Sequence, residues 1–104
     1  MARRTRSSRV ASVTDQLDDL SGIPRYIQVA RVIASEIRVG TWEIGQPVPS
    51  QVQLSQRFGV AKATAARSHA RLSEQGYVVA VPGVGMVVKP RSYWPKDEPD
   101  TLRP

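Results

Sequence analysis

Three glycines divide much of this sequence into segments whose lengths are typical of short helices. Gly40, Gly59 and Gly76 each follow a stretch in which apolar residues recur at helical spacing. Glycine is favoured just after the last residue of a helix, because it adopts the left-handed backbone conformation there without steric cost. We therefore predict three helices. The first opens at Pro24, the second covers residues 51–58, and the third runs from Ala61 or Lys62 to Gln75.

The apolar positions of each predicted helix indicate which side faces the core. On the first helix they are Tyr26, Ile27, Ala30, Ile33, Ala34 and Ile37. On the second they are Leu54, Phe58 and, at least in part, Val52, and Ser50 and Gln53 have the spacing of a capping box before it. The inward face of the third is predicted to comprise Ala61, Ala65, Ser68, His69 and Leu72, and the opposite face Ala63, Ala66, Arg67, Ala70 and Arg71.

Two β-rich segments follow the third helix. Residues 77–81 and 86–89 flank a turn at Pro82-Gly83-Val84-Gly85, which predicts a β-hairpin. Three helices followed by a hairpin is the order of a winged helix-turn-helix, so the predicted fold is mainly α with a small β-hairpin, over residues 23–89. Residues 1–22 are expected to hold a basic arm and a short helix over residues 14–20, capped by Ser12 or Thr14. Residues 90–104 are expected to form a proline-rich tail.

The composition excludes several classes of site. The 104 residues contain no cysteine and one histidine, which leaves neither a disulfide framework nor a thiolate metal site. No apolar run approaches the ~18 residues of a membrane span, and no secretion signal follows the basic start. No nucleophile–base pair, phosphate-binding loop or carboxylate pair stands out. We therefore expect a soluble, cytoplasmic protein without enzymatic activity, metal or other cofactor.

The net charge of +6 points to an anionic polymer as partner. Residues 1–9 carry four arginines and no acid, whereas residues 10–22 carry three acids and no base. Residues 51–76 carry four bases and one acid, so part of the excess lies on the second and third predicted helices. The basic N-terminal arm is either a solvated tail or a segment that contacts nucleic acid.

A collinear series of short motifs carries a family resemblance over about two-thirds of the chain. In order, the motifs are Pro24-x-Tyr26-x-Gln28-x-Ala30, Gly40-Thr41-Trp42, Gly45-x-x-Val48-Pro49-Ser50, Leu54-Ser55-x-x-Phe58-Gly59-Val60, Lys62-x-Thr64, Leu72-x-x-Gln75-Gly76-Tyr77-Val78 and Gly83-x-Gly85. With them, residues 24–88 resemble the DNA-binding domain of the GntR family of bacterial transcription regulators. The resemblance implies a winged helix-turn-helix that binds duplex DNA, with the start of its third helix in the major groove.

The sequence departs from the family pattern at positions that contribute to DNA contacts in the family. The family usually has an acidic residue and an arginine after the Pro-Ser pair, where this chain has Gln51 and Val52. It usually has an arginine two places after the matching threonine, where this chain has Ala66. The roles of those arginines therefore do not carry over to this chain. Arg67, which is predicted to face outward, is expected to make part of the DNA contacts that they make in the family.

The start of the third helix has the composition that close approach to a major groove requires, which is short side chains with a few long donors. Lys62 and Arg67 would supply positive charge and donors for base edges. Thr64 and Ser50 would offer hydroxyl groups to phosphates, beside the N–H groups of the helix N-terminus.

The turn of the hairpin, the wing, is the other predicted contact. Its two glycines would let the backbone approach the sugar-phosphate strand or the minor groove, whereas Val84 adds no charge and predicts a weak wing contact.

On the third helix, Ala63 or Ala66 would meet a thymine methyl group in the major groove. The complete set of predicted DNA-binding residues is Ser50, Gln51, Lys62, Ala63, Thr64, Ala66, Arg67, Arg71, Gly83, Val84 and Gly85.

These residues also have purely structural interpretations. The three basic residues of the third helix could form an ordinary solvated face, Thr64 could be a local helix cap, and the wing glycines could serve the turn alone. His69 is predicted to be a packed histidine rather than a ligand. Tyr26 and Trp42 are predicted to pack in the core or at its edge rather than to stack on bases.

The resemblance implies a transcriptional repressor that binds an inverted-repeat operator as a homodimer, at least on DNA. Only about fifteen residues follow the wing, where family members generally carry a large effector domain, so we expect no small-molecule switch. The chain is then either a minimal regulator or part of a longer one. Two other classes stay open: an architectural, recombination or replication accessory protein, and a winged-helix protein-interaction module that has lost DNA binding.

Overall fold

The computed structural model describes residues 17–96. In chain order, this part contains a 3-10 turn (Asp19–Ser21), helices α1 (Arg25–Arg38), α2 (Gln51–Phe58) and α3 (Lys62–Gln75), strands β1 (Val78–Val81) and β2 (Gly85–Val88), and a second 3-10 turn (Arg91–Tyr93). Three helices followed by a hairpin confirm the predicted fold. None of the helices between residues 17 and 96 has both the length and the apolar character needed to cross a bilayer.

Helix α1 supplies the largest share of the core. It begins at Arg25, because Pro24 is its N-cap rather than its first helical residue, and it ends at Arg38. Gly40 has a φ of 91° and donates its N–H to the Ile37 carbonyl at 3.1 Å, which closes the helix as predicted. The predicted apolar face of this helix needs one correction. Val29 is fully buried, whereas Tyr26 and Ile27 are only half-buried.

Helices α2 and α3 have the predicted bounds because local signals define them. The Ser50 side chain accepts the Gln53 N–H at 3.1 Å, and the Gln53 side chain accepts the Ser50 N–H at 2.8 Å, which completes the capping box. Gly59 ends α2 in the left-handed conformation. One burial prediction was wrong, because Ala61 is the exposed N-cap of α3 rather than an inward residue. Val52, which was predicted to be buried at least in part, is 45% exposed.

The hairpin gains a third, short strand-like partner from the loop before α2. Strands β1 and β2 pair antiparallel, with Val78 opposite Val88 and Val81 opposite Gly85. Beyond β2, the Val48 N–H bonds to the Met86 carbonyl and the Val88 N–H bonds to the Gln46 carbonyl, both at 2.9 Å. These bonds fix the wing relative to the start of α2, because Val48 lies two residues before the α2 N-cap.

The core continues past the predicted end of the domain. Trp94 lies within the stretch that the sequence predicted to be a tail, yet it is 7% exposed and belongs to the core cluster. Its ring centroid lies 5.7 Å from that of Tyr77, and its Nε1 donates to the Lys89 carbonyl at 2.8 Å. Residues 91–96 therefore pack against the domain, while the remainder of the predicted tail lies outside the described residues.

The Gln28 side chain of α1 binds the segment that precedes this helix. The Gln28 side chain accepts the Asp18 N–H at 2.7 Å and donates to the Asp18 and Ile23 carbonyls. The short helix predicted over residues 14–20 was wrong in its described part, because residues 17–18 are not helical and one 3-10 turn follows, capped by Asp18 rather than by Ser12 or Thr14. The rest of that prediction, and the basic arm, lie outside the described residues.

We expect Ser50→Ala to lower the free energy of unfolding by about 1 kcal/mol, since it removes the side-chain acceptor from the α2 N-terminus. Urea unfolding followed by circular dichroism measures this. Ser73→Ala is the matched control, because Ser73 is an exposed serine within α3 that caps no helix, and its effect should stay within about 0.5 kcal/mol. Equal effects of the two substitutions would contradict the capping role.

Candidate nucleic-acid interface

The N-terminal turn of α3 is an exposed surface of small and basic residues. Lys62 and Ala63 are exposed, Thr64 and Ala66 are half-buried, and only Ala65 points into the core. Since Ala65 is fully buried, it fixes the rotation of the helix and leaves its neighbours facing outward. The predicted outward face is thus confirmed for this turn.

The backbone at this end of α3 is also available to a ligand. The N-cap residue is Ala61, whose methyl group cannot accept a hydrogen bond, and the first helical bond runs from the Ala65 N–H to the Ala61 carbonyl at 3.1 Å. The N–H groups of the residues before Ala65 therefore precede the helical ladder. Thr64 lies inside the helix, which excludes its alternative role as an N-cap.

The positive charges of α3 have no acidic partner in the part of the chain that the structure describes. Within residues 17–96, no carboxylate lies at ion-pair distance from Lys62, Arg67 or Arg71. Arg67 is exposed and Arg71 is half-buried. All three side chains therefore add to a positive field along one helix, which suits a polyanion.

Two basic residues elsewhere form ion pairs with acidic residues. Arg25 donates two hydrogen bonds to Asp19, at 3.0 and 2.8 Å, and these bonds lower the pKa of the Asp19 carboxyl. Arg57 pairs with Glu36, which also accepts the Trp42 Nε1–H at 2.8 Å. These two pairs contrast with the basic residues of α3, which have no acidic partner within residues 17–96.

The start of α2 and the wing border one open groove. Of the predicted residues, Ser50 and Gln51 line one side, and the residues at 83, 84 and 85 line the other. The groove has a volume of about 730 Å³, and its lining is mainly apolar, including Val52 and Met86. The α3 residues of the predicted set are not part of this lining. The structure thus groups the predicted residues into a basic helix face and an apolar groove.

The wing glycines are explained by backbone conformation. Gly83 has a φ of 80° and Gly85 a φ of 126°, values that other residues rarely adopt. An added Cβ would meet no atom within 4 Å at either position, so packing does not require glycine there. Val84 at the tip is 56% exposed, and its N–H bonds to the Val81 carbonyl. The turn alone accounts for both glycines, and a role in close approach to a ligand stays a prediction.

Two other residues follow their predicted structural roles. His69 is 7% exposed, and its Nε2 lies 2.8 Å from the Pro49 carbonyl oxygen, which makes it a packed histidine between α3 and the start of α2. Trp42 is half-buried and bonded to Glu36. Among the described residues, no group of three or more His, Cys, Asp or Glu side chains could hold a metal ion.

One contact of the basic face was missed from the sequence. The Arg67 guanidinium carbon lies 4.0 Å from the centroid of the Tyr26 ring, so the arginine stacks on the start of α1. The two residues are far apart in sequence, and no local spacing signals the pair. The sequence indicated only that Arg67 lies on the outward face of the third helix in a fold of three helices. This was not enough to predict its contact with Tyr26.

The family comparison agrees with this architecture. The sequence profile of the bacterial regulatory proteins of the gntR family matches residues 25–88. The chain is 32% identical to the histidine utilization repressor of Pseudomonas aeruginosa over 82 residues, which is 79% of this chain and 32% of that protein. It is likewise 32% identical to the repressor of the same name from Klebsiella aerogenes over 65 residues, or 62% of this chain and 27% of that protein. The chain thus spans about a third or less of the length of these relatives.

Solved structures share the fold. A GntR family transcriptional regulator from Listeria monocytogenes superposes with a TM-score of 0.63 at 32% identity, covering 70% of this chain and 62% of that chain. YtrA from Sulfolobus acidocaldarius, a GntR-family transcription factor, gives a TM-score of 0.65 at 29% identity, with coverages of 80% and 68%. AraR(DBD), solved in complex with an operator, gives a TM-score of 0.61 at 33% identity, with coverages of 69% and 86%.

Proposed function

Because this chain belongs to the gntR family of bacterial regulatory proteins, we propose that it binds duplex DNA sequence-specifically and regulates transcription. We propose further that it is a cytoplasmic repressor without enzymatic activity, which binds an inverted-repeat operator as a homodimer. Two of its relatives are named histidine utilization repressors, and AraR(DBD) was solved with an operator. The observation that carries the proposal is the set of three basic side chains on α3 that have no acidic partner within residues 17–96.

The residue roles follow from which groups are exposed. The start of α3 enters the major groove, where Lys62 and Arg67 donate to base edges and phosphates, and Arg71 adds charge further along the helix. Ala63 and Ala66 are short enough for contact with thymine methyl groups. These five residues lie on one helix, so a single docking geometry serves all of them.

Phosphates are positioned by smaller groups. The uncapped N–H groups at the start of α3 and the Thr64 hydroxyl donate to one phosphate. The Ser50 oxygen accepts the Gln53 N–H, but its own O–H can still donate, and Gln51 beside it is exposed. At the wing, the backbone around Gly83, Val84 and Gly85 approaches the sugar-phosphate strand without adding charge. The wing therefore contributes less to affinity than α3.

We expect the logarithm of the DNA association constant to fall with the logarithm of the salt concentration with a slope of several units, roughly 0.9 per neutralised phosphate. Fluorescence anisotropy titrations between low and moderate salt measure the slope.

Lys62→Ala should weaken binding to duplexes of all sequences and reduce the slope by about 1. Arg67→Ala should lose about 1–3 kcal/mol of binding free energy and relax discrimination at one base pair.

Lys96→Ala is the matched control for Lys62→Ala. Both lysines are exposed, but Lys96 lies on the segment that packs near the C-terminal end of α3. Its removal should leave the affinity and the slope nearly unchanged. A flat salt dependence, or parental binding by both α3 variants, would contradict the proposed DNA-binding surface.

Dimerisation and the inverted repeat have a separate test. Selection of bound sequences from a random duplex pool returns the half-site and its spacing. Two half-sites in inverted orientation are expected for a homodimer, since a two-fold protein matches a two-fold site. A single unrepeated site would contradict this part of the proposal. A recovered site that overlaps a promoter supports regulation over an architectural or accessory role.

A second candidate function is favoured by the apolar groove. Val52 is 45% exposed and Val84 is 56% exposed, and the groove between them has the character of a protein-binding surface. A protein-interaction module would use this groove and would not need the charge of α3. A flat salt slope together with weak DNA binding is the result that would favour this function.

A further inference from the structure

We propose that Tyr26 is a positioning residue for DNA recognition, which holds the Arg67 guanidinium in the orientation that reads the major groove. This inference rests on the proposed function and adds a residue of α1 to the recognition surface. The guanidinium carbon lies 4.0 Å from the centroid of the Tyr26 ring, which is the distance of a face-on stack. Tyr26 is half-buried and Arg67 is exposed, so the arginine side chain packs on the exposed part of the tyrosine ring.

The stack leaves the hydrogen-bonding edge of Arg67 available. A guanidinium group carries five N–H donors in its own plane, and a ring below that plane occupies none of them. Within residues 17–96, Arg67 makes no hydrogen bond and no ion pair, although Glu74 borders the same small depression of α1 and α3. The side chain is thus held by an apolar contact while its polar groups remain unused.

Two other stacked arginines, one on α1 and one on α2, use their donors internally. Arg38 stacks on Tyr77 and Trp94, but it donates to the Tyr77 hydroxyl and to the Pro95 carbonyl. Arg57 lies over the Phe58 ring and donates to Glu36. In those pairs the stack accompanies a structural hydrogen bond. At Arg67 it has no such bond to support, and the remaining effect of the stack is to restrict a flexible side chain.

The backbone of Tyr26 is anchored to the same helix that carries Arg67. The Ser68 hydroxyl, which is fully buried, lies 3.0 Å from the Tyr26 carbonyl oxygen and 3.0 Å from the Thr64 carbonyl oxygen. The backbone of Tyr26 is therefore joined to α3 one residue beyond Arg67. An arginine that is ordered before binding loses less conformational entropy when it contacts a base. The geometry thus predicts a contribution to affinity and base discrimination from a tyrosine that need not touch DNA.

The test measures dissociation constants of the full chain for two duplexes of equal length. One duplex is selected by the parent protein from a random pool, and the other is a scrambled version of it. Tyr26→Leu, which removes the ring, should weaken binding to the selected duplex about 3- to 10-fold and change binding to the scrambled duplex much less. Tyr26→Phe keeps the ring and should restore most of the lost affinity. Circular dichroism melting of each variant monitors folding.

A double-mutant cycle separates positioning from an independent role. On the Arg67→Ala background, Tyr26→Leu should leave the dissociation constant for the selected duplex unchanged within about twofold, because the side chain that it positions is absent. Arg91→Ala is the control for loss of a stacked arginine, since Arg91 lies 4.6 Å from the Trp94 ring on the C-terminal 3-10 turn. Its affinity should match that of the parent.

Three results would overturn the inference, and they distinguish its failure from failure of the proposed function. If Arg67→Ala weakens binding but Tyr26→Leu does not, the positioning role is wrong and the proposed function stands. The same holds if Tyr26→Leu costs equal affinity with and without Arg67. If Arg67→Ala binds like the parent, both the positioning role and the proposed α3 contact fail. Arg67→Lys keeps the charge but loses the planar donors, and we expect it to lose discrimination as Tyr26→Leu does.

Discussion

Trp94→Ala is expected to lower the free energy of unfolding by about 3–5 kcal/mol, as do other substitutions of buried aromatic residues by alanine. The side chain is 7% exposed and packs against Tyr77 at a centroid distance of 5.7 Å. Two arginines also face the ring, Arg38 at 6.0 Å and Arg91 at 4.6 Å. The substitution leaves a cavity and removes the donor to the Lys89 carbonyl. Because small domains are stable by only about 5–15 kcal/mol, this loss is large.

Urea unfolding monitored by circular dichroism measures the change. Tyr93→Ala is the matched control, because Tyr93 is the neighbouring aromatic residue and is 57% exposed. Its loss removes only the stack with Lys89, whose Nζ lies 4.2 Å from the ring, and should cost less than about 1 kcal/mol. If Trp94→Ala were as stable as the parent, residues 91–96 would form the tail that the sequence predicted.

Element boundaries could be predicted from the sequence where they depend on neighbours along the chain. The capping box of Ser50 and Gln53 and the left-handed caps at Gly59 and Gly76 each involve only a few consecutive residues. For that reason the bounds of α2 and the end of α3 are as predicted. The hairpin was also predicted, but its strands are Val78–Val81 and Gly85–Val88 rather than residues 77–81 and 86–89, so Gly85 belongs to a strand and not to the turn.

Contacts between distant segments could not be predicted in this way. Val52 is apolar, but whether its side chain is covered depends on the position of the wing. The wing leaves an open groove beside α2, so Val52 stays 45% exposed. Prolines around Trp94 indicate irregular backbone, but irregular backbone can still pack, and here it does so on Tyr77. The stack of Arg67 on Tyr26 likewise depends on how α1 and α3 meet. The unpaired charge of α3 was predicted in sign, whereas its lack of acidic partners within residues 17–96 required the structure.

Gly76→Ala is expected to lower the free energy of unfolding by about 2–5 kcal/mol, through two separate effects. Gly76 has a φ of 94°, and an alanine in this left-handed conformation costs about 1–2 kcal/mol. In addition, an ideal Cβ at this position would lie 2.1 Å from the Tyr93 carbonyl oxygen. Relief of that overlap requires movement of backbone, which resembles overpacking of a core and costs about 1–3 kcal/mol more.

Gly59→Ala separates the two effects, because Gly59 is also a left-handed helix cap, with a φ of 69°, but its added Cβ meets no atom within 4 Å. It should cost only the conformational part, about 1–2 kcal/mol. In combination with Trp94→Ala, Gly76→Ala should cost less than it does alone, since loosening residues 91–96 lets the Tyr93 carbonyl move away. Equal costs for the two glycine substitutions, or strict additivity with Trp94→Ala, would contradict close packing of the C-terminal turn on α3. Since this packing lies at the C-terminal end of α3, beyond Arg71, the last proposed DNA contact of the helix, variants that remain folded should bind DNA like the parent.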